Sequence, residues 1–171
     1  MREHATVVVS AIVMVLLQII LAPGMTIYFA MPNFVVVFVI LTALSRSRSF
    51  GPILPFVMGL IYDFVVGGPV GAMAFALTLV CILAAYFFRA MDNGTLFMPF
   101  VFLAVSALCI EVIYGILLVI FGLNVGIVEA VFMRALPCAL YDCVIGIILY
   151  PLARRLLADS DPLQPGPTTM R

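Results

Sequence analysis

The chain has 171 residues; 66% are hydrophobic, only 9% are charged, and the net charge is zero. A water-soluble domain is closer to half apolar and a quarter charged, so there is too little polar surface here to coat a globule, and lipid is the expected solvent. All eight cations are Arg, balanced by eight acids, which leaves no basic excess for nucleic acid.

The first apolar run, Thr6–Leu21, has Gln18 as its only strongly polar side chain. Arg2 ahead of it imitates a signal peptide. Ala22-Pro23-Gly24 is a poor cleavage site, however, and further apolar runs follow, so this reads as an uncleaved first span. Pro23 and Gly24 end it, because proline has no N–H to donate and glycine accepts a sharp turn. A second span is expected at about Ile27–Leu44, with Tyr28 at an interface and Pro32 in its first turns, where proline is tolerated. Ser45–Ser49, with Arg46 and Arg48, forms a polar loop.

The third span, about Phe50–Val66, is short for a bilayer crossing, which takes about 17–25 residues. It would need local thinning or longer neighbours. Asp63 lies near its end, Gly67-Gly68-Pro69 breaks it, and a fourth span runs from Gly71 to about Phe88. Arg89–Gly94 is a second polar loop. Asn93-Gly94-Thr95 matches a glycosylation sequon, a pattern frequent by chance. The fifth span, about Thr95–Phe121, holds Glu111 near its middle and turns at Gly122–Gly126. The sixth, about Val131–Leu152, contains Pro137 and Asp142. It has an amphipathic lead-in with Glu129 and Arg134 and is closed by Arg154 and Arg155. Residues 1–158 thus form one six-span, all-α transmembrane domain. Asp159–Arg171, rich in Pro, Asp, Ser and Thr, is expected to be a disordered cytoplasmic tail.

Arginine sets the expected orientation. With the amino terminus in the cytoplasm, Arg2, Arg46, Arg48, Arg89, Arg154, Arg155 and Arg171 all fall inside. The turns at Ala22–Thr26, Gly67–Val70 and Gly122–Gly126 contain no Arg and fall outside. Six spans keep both termini inside; five would strand Arg154 and Arg155 on the wrong side.

Three acids stand within apolar runs, where a charge is costly and is rarely kept without a partner or a role. Asp63 lies about 6 Å from the outer end of its span at 1.5 Å per residue, and Glu111 and Asp142 lie nearer the midplane. They read either as a proton or cation path or as buried packing groups that bridge helices, the second being favoured because Arg134 is the sole basic residue nearby. Gly59 and Asp63 share one helix face, placing a close backbone contact and an acid on the same seam. Gly67 and Gly71, four apart, shape the outer turn or a helix contact. Glu129 and Arg134 read as a pair, as partner contacts, or as snorkelling side chains. Tyr62-Asp63-Phe64-Val65-Val66-Gly67 and Tyr141-Asp142-Cys143-Val144-Ile145-Gly146 share the pattern Tyr-Asp-x-Val-(Val/Ile)-Gly, a faint internal echo.

Cys81, Cys109, Cys138 and Cys143 lack zinc-site spacing, and His4 is the single histidine, so the cysteines read as small apolar residues and no metal site is expected. No nucleophile–base set and no phosphate loop is present; neither a cofactor nor an enzymatic activity is expected.

Pro32-Asn33, Phe56-Val57-Met58-Gly59-Leu60-Ile61-Tyr62-Asp63, Gly67-Gly68-Pro69-Val70-Gly71 and Tyr150-Pro151-Leu152 with Arg154-Arg155 together resemble the MreD family of bacterial rod shape-determining proteins. The resemblance covers nearly the whole chain. It implies a non-enzymatic component of the cytoplasmic membrane that supports peptidoglycan synthesis during lateral wall growth. It further implies a bitopic partner, MreC, with the actin-like MreB filament and wall synthases alongside. It implies, too, a fold related to the substrate-binding subunits of energy-coupling-factor vitamin transporters, which supplies the rival function. Against that rival, the outer turns are short and apolar, and span one offers only Thr6-x-x-x-Ser10 as a small-residue seam.

Overall fold

A computed structural model describes residues 2–26, 30–44, 51–90, 97–122 and 126–157. The loop at 45–49, the sequon at Asn93, Tyr28, the centre of the turn at 122–126 and the tail 159–171 lie outside the described residues. The long elements are all helices: α1 (Arg2–Ile20), α2 (Phe34–Leu44), α3 (Ile53–Val66), α4 (Ala72–Ala90), α5 (Met98–Ile120) and α6 (Leu136–Leu157). A π-helical lead-in, Glu129–Ala135, runs into α6.

The helix α2 is the axis of the bundle. Its sequence is apolar all round, and such a helix is stable only when it is enclosed on all sides. It packs against each of the other five helices, and Phe34 to Leu41 are all buried. The hairpin of α3 and α4, then α5 and α6, follow one another around it, and α1 closes on α2 and α3.

Five of the expected spans appear as helices with ends shifted by a few residues; the second does not. Instead of running from about residue 27, α2 begins at Phe34, and Met31, Pro32 and Asn33 precede it without helical structure. The cause is local: proline disfavours helical geometry in the residue before it, and Asn is among the strongest helix-starting caps. Pro32 therefore stands outside the helix rather than in its first turns. At the other end of the chain, α6 continues past Leu152 to Leu157, with Pro151 inside it.

Large apolar side chains cover the outside of the bundle as well as its core. The inner face of α1 is Val7, Ala11 and Gln18, with Ala22 buried just beyond its end, while Val9, Ile12, Leu16 and Ile20 point outward. Phe64, Tyr86 and Ile148 are each about two-thirds exposed or more (67%, 70% and 67%), whereas Gln18, Asn33, Asp63, Glu111 and Asp142 are all buried. Buried polar groups bonded between helices, inside an exterior of large apolar side chains, suit lipid, where association relies on close contact and interhelical hydrogen bonds. Among the described residues two runs, Met98–Ile120 and Glu129–Ala153, are long and apolar enough to cross a membrane, and four other apolar helices are shorter.

Candidate functional site

The sequence-derived candidates fall into two groups, one at the α3–α4 turn and one at the start of α2. At the turn, Gly67 adopts φ 74° and closes α3, its N–H donating to the carbonyl of Asp63. Positive φ suits glycine because no Cβ meets the carbonyl. Gly71, at φ 97°, then occupies the capping position of α4 and has no side chain with which to cap it. Asp63 does so from across the turn. Its Oδ2 accepts from the N–H of Gly71 at 2.8 Å and of Ala74 at 3.4 Å, and its Oδ1 from Met73 at 3.1 Å. These donors belong to the first turn of a helix, where no intrahelical acceptor exists and negative charge is favoured. One turn before Asp63, Gly59 brings the α3 backbone against Met73 and Ala74 so closely that a Cβ there would fall on the Ala74 Cα. Gly59 and Asp63 thus fasten the same helical turn of α4.

The second group forms where α2 starts. Residues around Asn33 leave several backbone groups without helical partners, and three side chains supply them. Asp142 Oδ1 accepts the Asn33 N–H at 2.7 Å. Gln18 Oε1 accepts the Phe34 N–H at 2.8 Å, and Gln18 Nε2 donates to the Pro32 carbonyl at 3.2 Å. Asn33 caps its own helix, its Oδ1 taking the Val36 N–H at 3.1 Å, and its Nδ2 donates to Glu111 Oε1 at 3.4 Å. Side chains from α1, α5 and α6 converge on one helix start. Glu111 lies near the middle of α5, Asp142 near the middle of the long run containing α6 and Gln18 in the last turn of α1, so α2 begins level with the interior of α5 and α6 and with the end of α1. Non-helical backbone at that depth is tolerated only when its polar groups are met by protein or water.

Two tyrosines join the groups. Tyr62, beside Asp63, meets Tyr114 edge to face with ring centroids 6.2 Å apart. The Arg134 guanidinium lies 4.8 Å from the centroid of the Tyr114 ring. Arg134 is therefore turned inward, while Glu129 is exposed on the lead-in. Among the described residues the two do not form the reciprocal pair considered from sequence: Arg134 lies over the Tyr114 ring of α5, and Glu129 is exposed.

Sequence reasoning treated Gln18 as an incidental polar residue and Asn33 only as part of a resemblance. A usable signal was present: Pro-Asn ahead of an apolar run is a helix-start signature, and a glutamine in an apolar span must find hydrogen-bond partners. The shared Tyr-Asp-x-Val-(Val/Ile)-Gly pattern has a structural counterpart, since each aspartate accepts backbone N–H groups at the start of another helix: α4 for Asp63 and α2 for Asp142. Among the described residues no three His, Cys, Asp or Glu side chains come together as a metal site would require.

A family model described as rod shape-determining protein MreD matches residues 1–159. No curated protein and no solved structure matches the chain.

Proposed function

Because the chain belongs to the MreD family of rod shape-determining proteins, we propose that it is a non-enzymatic, multi-pass component of the bacterial cytoplasmic membrane that serves cell elongation. It binds an MreC-like bitopic protein and supports peptidoglycan synthesis beside the wall synthases and the MreB filament, the filament contact being direct or indirect. Both termini face the cytoplasm, and the α3–α4 turn faces outward. The observation that carries this reading is the apolar exterior around buried acids: a hydrocarbon-compatible surface encloses an interior whose acids are engaged as helix caps and hydrogen-bond acceptors. Asp63, Glu111 and Asp142 each accept a hydrogen bond from another segment of the bundle. That favours a scaffold over an acid relay.

The rival reading, a substrate-binding subunit of an energy-coupling-factor vitamin transporter with the fold to match, draws on one feature. A helix that starts inside the bundle, flanked by unwound backbone, is what transporters use to hold substrates and coupling ions. Purification in a gentle detergent followed by mass spectrometry separates the two. The scaffold reading expects an MreC-like bitopic protein to co-purify, and rounding of cells on depletion. Recovery of an energy-coupling ATPase module, with a tightly bound vitamin, would replace it with the transporter reading.

A further inference from the structure

Two buried side-chain atoms among the described residues have no hydrogen-bond partner in the protein: Asp142 Oδ2 and Arg134 Nη1. They belong to the same helical run, eight residues apart, with Cys138 midway between them at one helical turn from each. Asp142 itself is completely buried, at 0% exposure, and Cys138 is buried as well. At ~1.5 Å rise per residue the Arg134 and Asp142 backbones stand about 12 Å apart along the axis, and the two orphan groups do not pair with each other. Glu111 faces them from α5, tied to Asn33, and Asn33 is tied in turn to Asp142 through its backbone N–H.

We propose that this face binds buried water, forming a hydrated pocket inside the bundle bounded by Asn33, Glu111, Arg134, Cys138 and Asp142. Water is the ligand whose chemistry fits. Separate waters can donate to the free lone pairs of Asp142 Oδ2 and accept from Arg134 Nη1, tasks of opposite sense that no one kind of ion performs. A buried water needs about two to four polar partners, and the carboxylates, the guanidinium and the Asn33 amide supply them. The pocket lies where the backbone ahead of α2 is not helical, the setting in which a membrane protein admits water. The inference goes beyond the cell-elongation role and does not depend on it.

The cysteines report on it without added probes. All four are free thiols; Cys138 lies within electrostatic reach of Glu111, Arg134 and Asp142, and Cys81 is buried in the apolar core. Infrared spectroscopy of the reconstituted wild-type protein would follow S–H to S–D conversion after transfer to heavy water, with C138A and C81A assigning the two bands. Exchange at Cys138 about tenfold or more faster than at Cys81 is the expected result. Equal protection of the two thiols would overturn the pocket. Equally rapid exchange at both would overturn it as well, by showing general access rather than a local site.

Discussion

Asp63→Asn is expected to destabilise the protein by about 2 kcal/mol, whereas Asp142→Asn is expected to cost less than about 1 kcal/mol. The two residues sit in the same short sequence pattern, yet the geometry separates them. Asp63 uses both carboxylate oxygens, taking three N–H groups from the start of α4. Asparagine keeps one acceptor and turns an NH2 toward N–H donors, so at least one buried donor is left facing a donor. Asp142 engages the protein through Oδ1 alone. Asparagine can keep its carbonyl there and place its NH2 where Oδ2 was. Asp63→Ala removes every acceptor and should cost about 3 kcal/mol, hydrogen bonds to charged groups being worth about 1.5–3 kcal/mol. Thermal unfolding in detergent reads this as a loss on the order of 10 °C. Equal effects of Asn at the two positions would contradict the assigned roles.

The second large effect concerns the start of α2. Gln18→Leu leaves the Phe34 N–H and the Pro32 carbonyl unmet, and Asp142→Leu leaves the Asn33 N–H unmet. Each should cost about 2–4 kcal/mol, because an orphaned buried group loses its partner without regaining water. The two side chains hold adjacent residues of one non-helical segment. Once either is lost the segment relaxes, and losing the other then costs less. A double-mutant cycle is expected to show a combined effect smaller than the sum by about 1 kcal/mol or more. Additivity within about 0.5 kcal/mol would mean that α1 and α6 hold this segment independently.

These two sites also mark how far the sequence could be read. The α3–α4 turn was legible because its chemistry is local: Gly59, Asp63, Gly67 and Gly71 lie within thirteen residues, with the spacing of a helix face and of a turn. The helical runs followed from apolar length alone, and α5 matched its expectation closely. The start of α2 was not legible as a site, since Gln18, Asn33, Glu111 and Asp142 come from four segments separated by up to 124 positions. Nothing in a single sequence says which apolar run lies at the centre and which acid reaches it. The span at 27–44 was drawn as one continuous helix because its composition is apolar throughout; Pro32 and Asn33 stop that helix for reasons of backbone sterics and capping rather than hydropathy. Arg134, near the end of a run, reads from hydropathy as a pair member, a partner contact or a snorkelling side chain; it lies instead over the Tyr114 ring, a tertiary contact of which hydropathy carries no trace.

The proposed role requires above all that the helices cross a bilayer in the arginine-directed sense. Single cysteines at Val70, 60% exposed in the α3–α4 turn, and at Ser47 in the Arg-rich segment test it directly with a membrane-impermeant thiol reagent on intact spheroplasts. Val70→Cys is predicted to react from outside and Ser47→Cys only after the membrane is permeabilised. Reaction of Ser47→Cys in intact cells, with Val70→Cys protected, would contradict the threading.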